Sequence, residues 1–200
     1  MSGGNGKAPA FEFSAENKAL ADEIIAKYPK GRQASAVMPL LDLAQKQNKG
    51  WLSVPAIETV ATMLDMPYIR AYEVATFYTM YNLKPVGKHV VEICTTTPCW
   101  LRNCGEVERA CRDVLGIDYG ETTADGMFTL HEVECLGACV NAPMVSIDRS
   151  YYEDLDYDSM KKILEAFKRG ETPKPGPQIE RQTSAPVGGA TTLLKSGGGA

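Results

Sequence analysis

The chain has 200 residues, of which 44% are hydrophobic and 23% charged, with a formal net charge of −4. That length suits one domain or two small ones. No apolar run approaches the ~20 residues that cross a bilayer, which argues against direct membrane insertion. Acids and bases are mixed along the chain with no basic stripe, which argues against nucleic acid, so proteins are the expected partners.

Residues 1–13 begin Met1-Ser-Gly-Gly-Asn-Gly-Lys7 and are expected to form a flexible, polar arm. The arm has no apolar core of a signal peptide, so the cysteines are expected to stay reduced. Residues 14–85 read as a helical bundle. Ser14 caps a first helix through Lys27, stopped by Pro29 and Gly31; Ser35 caps a second over residues 36–47, with Val37, Leu40, Leu41 and Ala44 as its apolar stripe. Ser53 before Val54-Pro55 starts a third, with Ile57, Val60, Ala61 and Leu64 on one face. Asp65 is expected to cap a fourth from Pro67 to about Tyr78. The aromatic patch Phe77, Tyr78 and Tyr81 at its end reads as packing, within the bundle or against a partner subunit.

From Gly87 the period changes to that of strands. His89–Ile93 is a β-branched run leading into Cys94, and Arg102 to Leu115 is the following helix. Phe128–Glu134 alternates and leads into Cys135; Met144–Ile147 and Tyr151–Glu153 complete a hairpin. Asp158 is expected to cap a last helix lined by Met160, Ile163, Leu164 and Phe167 and ended by Gly170. The order β-α-β-β-α predicts an α/β layer over residues 86–170. Ten of residues 171–200 are Gly or Pro, which predicts a disordered tail or one folded onto a partner.

Four of the six cysteines form two close pairs, Cys94-Thr-Thr-Thr-Pro-Cys99 and Cys135-Leu-Gly-Ala-Cys139. A binuclear iron-sulfur cluster needs four thiolates from two sides, and each short spacing lets one loop chelate one iron. The plant-type C-x4-C-x2-C pattern fails because Arg102 stands at its third position. Zinc remains open, since paired cysteines also hold a tetrahedral metal. A disulfide scaffold is disfavoured by so sparse a set. Pro98 and Pro143 stiffen the two loops, and Gly137 is expected to let the backbone approach and present N–H groups to the centre. Thr95, Thr96 and Thr97 read either as donors to it or as ordinary loop chemistry. Trp100 reads either as its shield or as a core anchor. His89 and His131 read as ordinary strand residues rather than a Rieske pair. The motifs of nucleotide binding and of hydrolysis are absent, so the chain has no catalytic residues of its own.

The runs Val91-Glu-Ile-Cys-Thr-Thr-Thr-Pro-Cys-Trp-Leu-Arg102 and Glu134-Cys-Leu-Gly-Ala-Cys-Val-Asn-Ala-Pro-Met144 resemble the 24 kDa 2Fe-2S subunit family of respiratory complex I, the NADH:quinone oxidoreductase. Glu73-Val-Ala-Thr-Phe-Tyr-Thr-Met-Tyr81 and Pro85-Val-Gly-Lys88 extend the likeness, which covers roughly residues 14 to 170. The resemblance implies an α+β protein: an N-terminal helical bundle, then a thioredoxin-like 2Fe-2S domain over 86–170 and the disordered tail. It implies one 2Fe-2S cluster held by Cys94, Cys99, Cys135 and Cys139. Cys104 and Cys111 fall outside that ligand set; Cys111 reads as a small buried hydrophobe, and Cys104 is near enough to replace Cys99 if that ligand is lost.

The resemblance further implies a subunit of an oxidoreductase, whose cluster exchanges electrons with FMN from a side position off the main chain. NADH and FMN are expected on the 51 kDa partner subunit, which the helical part contacts, with further complex I subunits around it. The expected location is the cytoplasmic or matrix-like side, peripheral to the inner membrane. Three alternatives stand: a subunit of an NAD-linked hydrogenase or formate dehydrogenase, a free thioredoxin-like 2Fe-2S ferredoxin, and a structural zinc module.

Overall fold

The first helix starts where a side chain can satisfy a helical end. Ser14 Oγ accepts the Asn17 N–H at 3.2 Å and begins α1 (Ala15–Ala26). The computed structural model describes residues 10–189 and residue 192. The chain divides into two units, residues 1–86 and 87–200.

In the first unit a 3-10 turn over Gln33–Ala36 leads directly into α2 (Val37–Gln47). Ser35 lies inside that turn and caps nothing, because the backbone is already helical there. Ser53 Oγ accepts the Ala56 N–H and opens α3 (Val54–Met63), with Pro55 in its first turn. The fourth helix, α4 (Tyr68–Phe77), starts behind Pro67 with no side-chain cap. The expected cap Asp65 instead turns the chain at φ 50°. Leu40, Leu41, Ala44, Ile57, Val60, Ala71 and Ala75 bury one another as the core.

Buried Gln45 ties that core to the exit of α4, its Nε2 donating to Met80 O at 2.9 Å and its Oε1 accepting the Asn82 N–H at 2.7 Å. The aromatic patch divides: Tyr81 is buried and donates to Met38 O at 2.9 Å, whereas Phe77 is 77% exposed. The arm is described from residue 10 onward. Phe11 and Phe13 pack edge to face and against the core, and Phe11 O accepts the Thr59 hydroxyl at 2.8 Å. Residues 1–9 of the expected flexible arm lie outside the described residues.

The second unit is built on β1 (His89–Cys94) and β2 (Phe128–Val133), paired in parallel from His89↔Phe128 to Cys94↔Val133. Strand β3 (Val145–Ile147) pairs antiparallel with β1, and β4 (Ser150–Glu153) antiparallel with β3 as a hairpin. The expected helix over 102–115 is α6 (Cys104–Leu115), preceded by a short helix that the sequence pattern did not mark, α5 (Thr97–Leu101). Asn103 separates them with φ 68°, a left-handed conformation that Asn tolerates. The last helix, α7 (Tyr157–Lys168), is capped by Asp156 rather than Asp158: Asp156 and Ser159 exchange backbone and side-chain hydrogen bonds as a capping box.

Val107, Cys111, Met160, Ile163, Leu164 and Phe167 of α6 and α7 bury against Val91, Ile93, Phe128, Leu130 and Ile147 of the sheet. The expected disordered tail is ordered through residue 189 where described. Gly176–Pro177 forms β5, parallel to β4, giving the order β2-β1-β3-β4-β5. The cause lies in the free edge of β4, which offers backbone partners to a segment whose composition gives no strand signal. No described helix is long and apolar enough to cross a membrane.

Gly87 sits where two backbones touch. A Cβ there would lie 2.8 Å from the carbonyl carbon of Phe128. In α6, Gly105 has open space around it. Gly87→Ala is therefore expected to destabilise the protein by about 1–3 kcal/mol, and Gly105→Ala to stabilise it by about 0.4–1 kcal/mol. Denaturant titration checks both; a tolerated Gly87→Ala would contradict this packing of the β1–β2 entry.

Candidate functional site

Parallel strands leave a sheet at the same end, so β1 and β2 carry their cysteine loops to one place. Cys94 is the last residue of β1, and Cys135 follows β2 by two residues. Cys99 lies within the one-turn helix α5, with Pro98 in its first turn. That turn buries Cys99 and directs Trp100 outward, 69% exposed. Trp100 is thus no core anchor, because the short helix has only one face against the domain.

The first pair is buried with Cys104, Ala142 and Met144 in one cluster, against which Leu136 and Ala138 of the second loop pack. Thr96 Oγ1 lies 3.2 Å from Cys94 Sγ. Burial pushes the Cys94 thiol up, but hydrogen bonds from the Thr96 side chain and backbone, from the Leu136 backbone and from Cys99 outweigh it and hold the thiol below its ordinary range. Burial and the neighbouring Cys94 sulfur push Cys99 up to about 12, against the Met144 N–H, which lowers it. Burial also raises Cys104, with Glu108 and Cys94 adding to the effect.

Cys135 and Cys139 form the second pair, both exposed, with their sulfurs 3.4 Å apart. Two thiolates on one tetrahedral metal at about 2.3 Å stand about 3.8 Å apart, so this pair already has chelating separation. The Cys135 sulfur raises the Cys139 thiol. Among the described residues, no three or more of His, Cys, Asp and Glu gather into one metal-binding group. The thiols stand as two pairs, bridged where the Leu136 N–H meets Cys94.

Gly137, between them, is required by its φ of 85° rather than by crowding, since a Cβ there would meet nothing within 4 Å. Thr95 turns away to donate to Glu132 Oε1 at 2.7 Å. His89 contacts Asp148 Oδ2 at 2.6 Å and packs on Phe128 and Phe167, away from the thiols.

Sequence reasoning missed Leu136 and Met144, which act through backbone N–H groups that no side-chain pattern marks. It also missed Tyr151, whose hydroxyl donates to Leu136 O at 2.8 Å and steadies the second loop. A signal for it existed: Tyr151 is adjacent to the buried Tyr152 in a strand and must face the other side of the sheet.

The sequence pattern of the thioredoxin-like 2Fe-2S ferredoxins matches residues 21–168. The chain belongs to that family. Among its relatives, an NADH-quinone oxidoreductase subunit of Rickettsia conorii is 61% identical over 164 residues, covering 82% of this chain and 98% of that protein. The mitochondrial NADH dehydrogenase (ubiquinone) flavoprotein 2 of Dictyostelium discoideum is 49% identical over 96% of this chain and 77% of its own length. A solved NAD+-reducing NiFe hydrogenase shares the fold over 65% of this chain and 23% of its own, with a TM-score of 0.57 at 18% identity.

The fully buried Cys111 lies on α6, in the core beneath the sheet rather than beside the pairs. Burial pushes its thiol from 9.0 up to about 12. The unfolded chain therefore gives up this proton first, and stability falls as pH rises from about 9 to about 12. Cys111→Ala is expected to flatten that fall, measured by denaturant titration at several alkaline pH values; an unchanged slope would contradict the burial of this thiol.

Proposed function

We propose that this chain is the electron-transfer subunit of the NADH-oxidising module of NADH:quinone oxidoreductase, respiratory complex I, and that Cys94, Cys99, Cys135 and Cys139 ligate its one 2Fe-2S cluster. The carrying observation is that two thiol pairs leave the same end of a parallel strand pair, one buried and one exposed. Four thiols carried on two loops fit a two-iron centre with one pair for each iron. When bound, the cluster supplies a centre that takes up and returns one electron.

The chain's own residues do the rest. Donors around Cys94 favour the thiolate, which is the ligating form. The Leu136 N–H at Cys94 and the Met144 N–H at Cys99 offset negative charge at the sulfurs, a lever that raises reduction potential. Buried Ala142 and Met144 keep water from the first pair, while the exposed second pair leaves one side open to a partner.

That partner is the 51 kDa subunit carrying FMN and NADH, on the cytoplasmic or matrix-like side of the inner membrane. The exposed Phe77, beside Tyr78 at the end of α4, supports a subunit contact on the helical unit. The whole helical unit of residues 1–86 argues against a free carrier, which needs only the cluster domain. The hydrogenase shares only the fold and gives that alternative no advantage.

In its native setting the untagged chain is expected to elute within a large NADH-oxidising assembly; a small free species would support the carrier instead. Replacing Cys94, Cys99, Cys135 or Cys139 singly by alanine is expected to abolish cluster absorbance and the EPR signal of the reduced protein. Normal cluster content in Cys135→Ala would contradict the ligand set. A retained but shifted spectrum in Cys99→Ala would identify Cys104 as its replacement.

A further inference from the structure

Residues 171–189 have no part in the electron-transfer reading, yet they end beside the second cysteine loop. After β5, Gln178 N donates to Glu153 O at 2.9 Å, and the chain turns at Arg181. The Arg181 guanidinium donates to Asp154 Oδ1 at 3.0 Å and Oδ2 at 3.3 Å through Nη1. Its Nε and Nη2 both donate to Ala185 O, at 3.0 and 2.6 Å, which closes residues 181–185 into a loop. That loop presents Thr183 O to the side chain of Asn141, whose Nδ2 donates to it at 3.1 Å and also to Glu153.

Asn141 is the last residue of the 3-10 turn that Cys139 begins. It is buried, and its backbone oxygen accepts the Asp154 N–H at 2.7 Å. The Arg181 and Asp154 side chains are 5% and 7% exposed, whereas a surface pair such as Arg169–Glu171 is 58% exposed on both sides. A tail resting on the surface has no cause to bury a charge pair, because desolvating two ions is costly unless their geometry is fixed.

We propose that Arg181, Asp154 and Asn141 form a latch through which the C-terminal segment positions the Cys135–Cys139 loop for the cluster, with Arg181 as a positioning residue. The proposal rests on the reading of Cys135 and Cys139 as ligands. The latch touches no sulfur. It holds the turn that follows Cys139, and so restricts the openings through which an exposed thiol pair releases its metal.

The test uses full-length, anaerobically purified protein carrying Arg181→Gln, and separately the pair R181M/D154N, which strands no charge and keeps a residue that tolerates the left-handed backbone at 154. Three readouts are taken: iron loss to a chelator, hydrogen exchange of amides 135–142 against those of β1 and β2, and the EPR line shape of the reduced protein. R181Q is expected to lose iron about tenfold faster, with faster exchange confined to 135–142 and an altered line shape. R181M/D154N is expected to keep the fast loop exchange, because methionine cannot hold the Ala185 carbonyl, and it carries the test if R181Q fails to fold. Wild-type iron loss, loop exchange and line shape in the folded variants would overturn the latch. If the wild-type protein holds no iron, the ligand reading fails, while loop exchange still reports on the latch by itself.

Discussion

Parallel pairing of β1 with β2 is the constraint from which the site follows. In an antiparallel pair the loops after the two strands leave at opposite ends of the sheet; in this register, Cys94 opposite Val133, both leave together. The pairing needs a long crossover, which α6 provides. It also needs a close backbone entry, which Gly87 permits beside Phe128. Val107 and Cys111 on α6 and Ile163 and Phe167 on α7 bury against the same sheet face and fix the plane from which both loops depart.

The two thiol pairs then meet unequal surroundings. Cys94 and Cys99 are enclosed beside Met144, and opposing effects act on their charge: burial disfavours the thiolate, and backbone and hydroxyl donors favour it. Cys135 and Cys139 face outward on a loop held by Tyr151 and by the turn at Asn141. A centre held by both pairs, as proposed, would be anchored in the domain on one side and approachable on the other. That arrangement suits transfer to a neighbouring protein better than isolation from it.

Much of this was legible in the residues. Strand alternation in 128–134 and the β-branched run 89–93 located both arms of the site, and Ser14 and Ser53 marked true helix starts. The failures share a cause. Asp65, Ser35 and Asp158 are good capping residues by type, yet each lost to a neighbour whose backbone was better placed, as Asp156 shows with its reciprocal partner Ser159. The amphipathic run from Arg102 to Leu115 forms α6, and Asn103 in its left-handed conformation sets the start just after the short α5. Trp100 departs from the core-anchor role because a one-turn helix need not bury a large side chain. The order of residues 171–189 depends on a sheet edge and a buried Arg181–Asp154 pair, and composition registers neither.

The account stands on a binuclear centre held by two thiol pairs. Its most direct measurement is iron, acid-labile sulfide and zinc per chain in anaerobically purified full-length protein. About two irons and two sulfides, with negligible zinc, is the predicted result. Zinc without sulfide would contradict it and leave an interaction module stapled by a redox-inert metal.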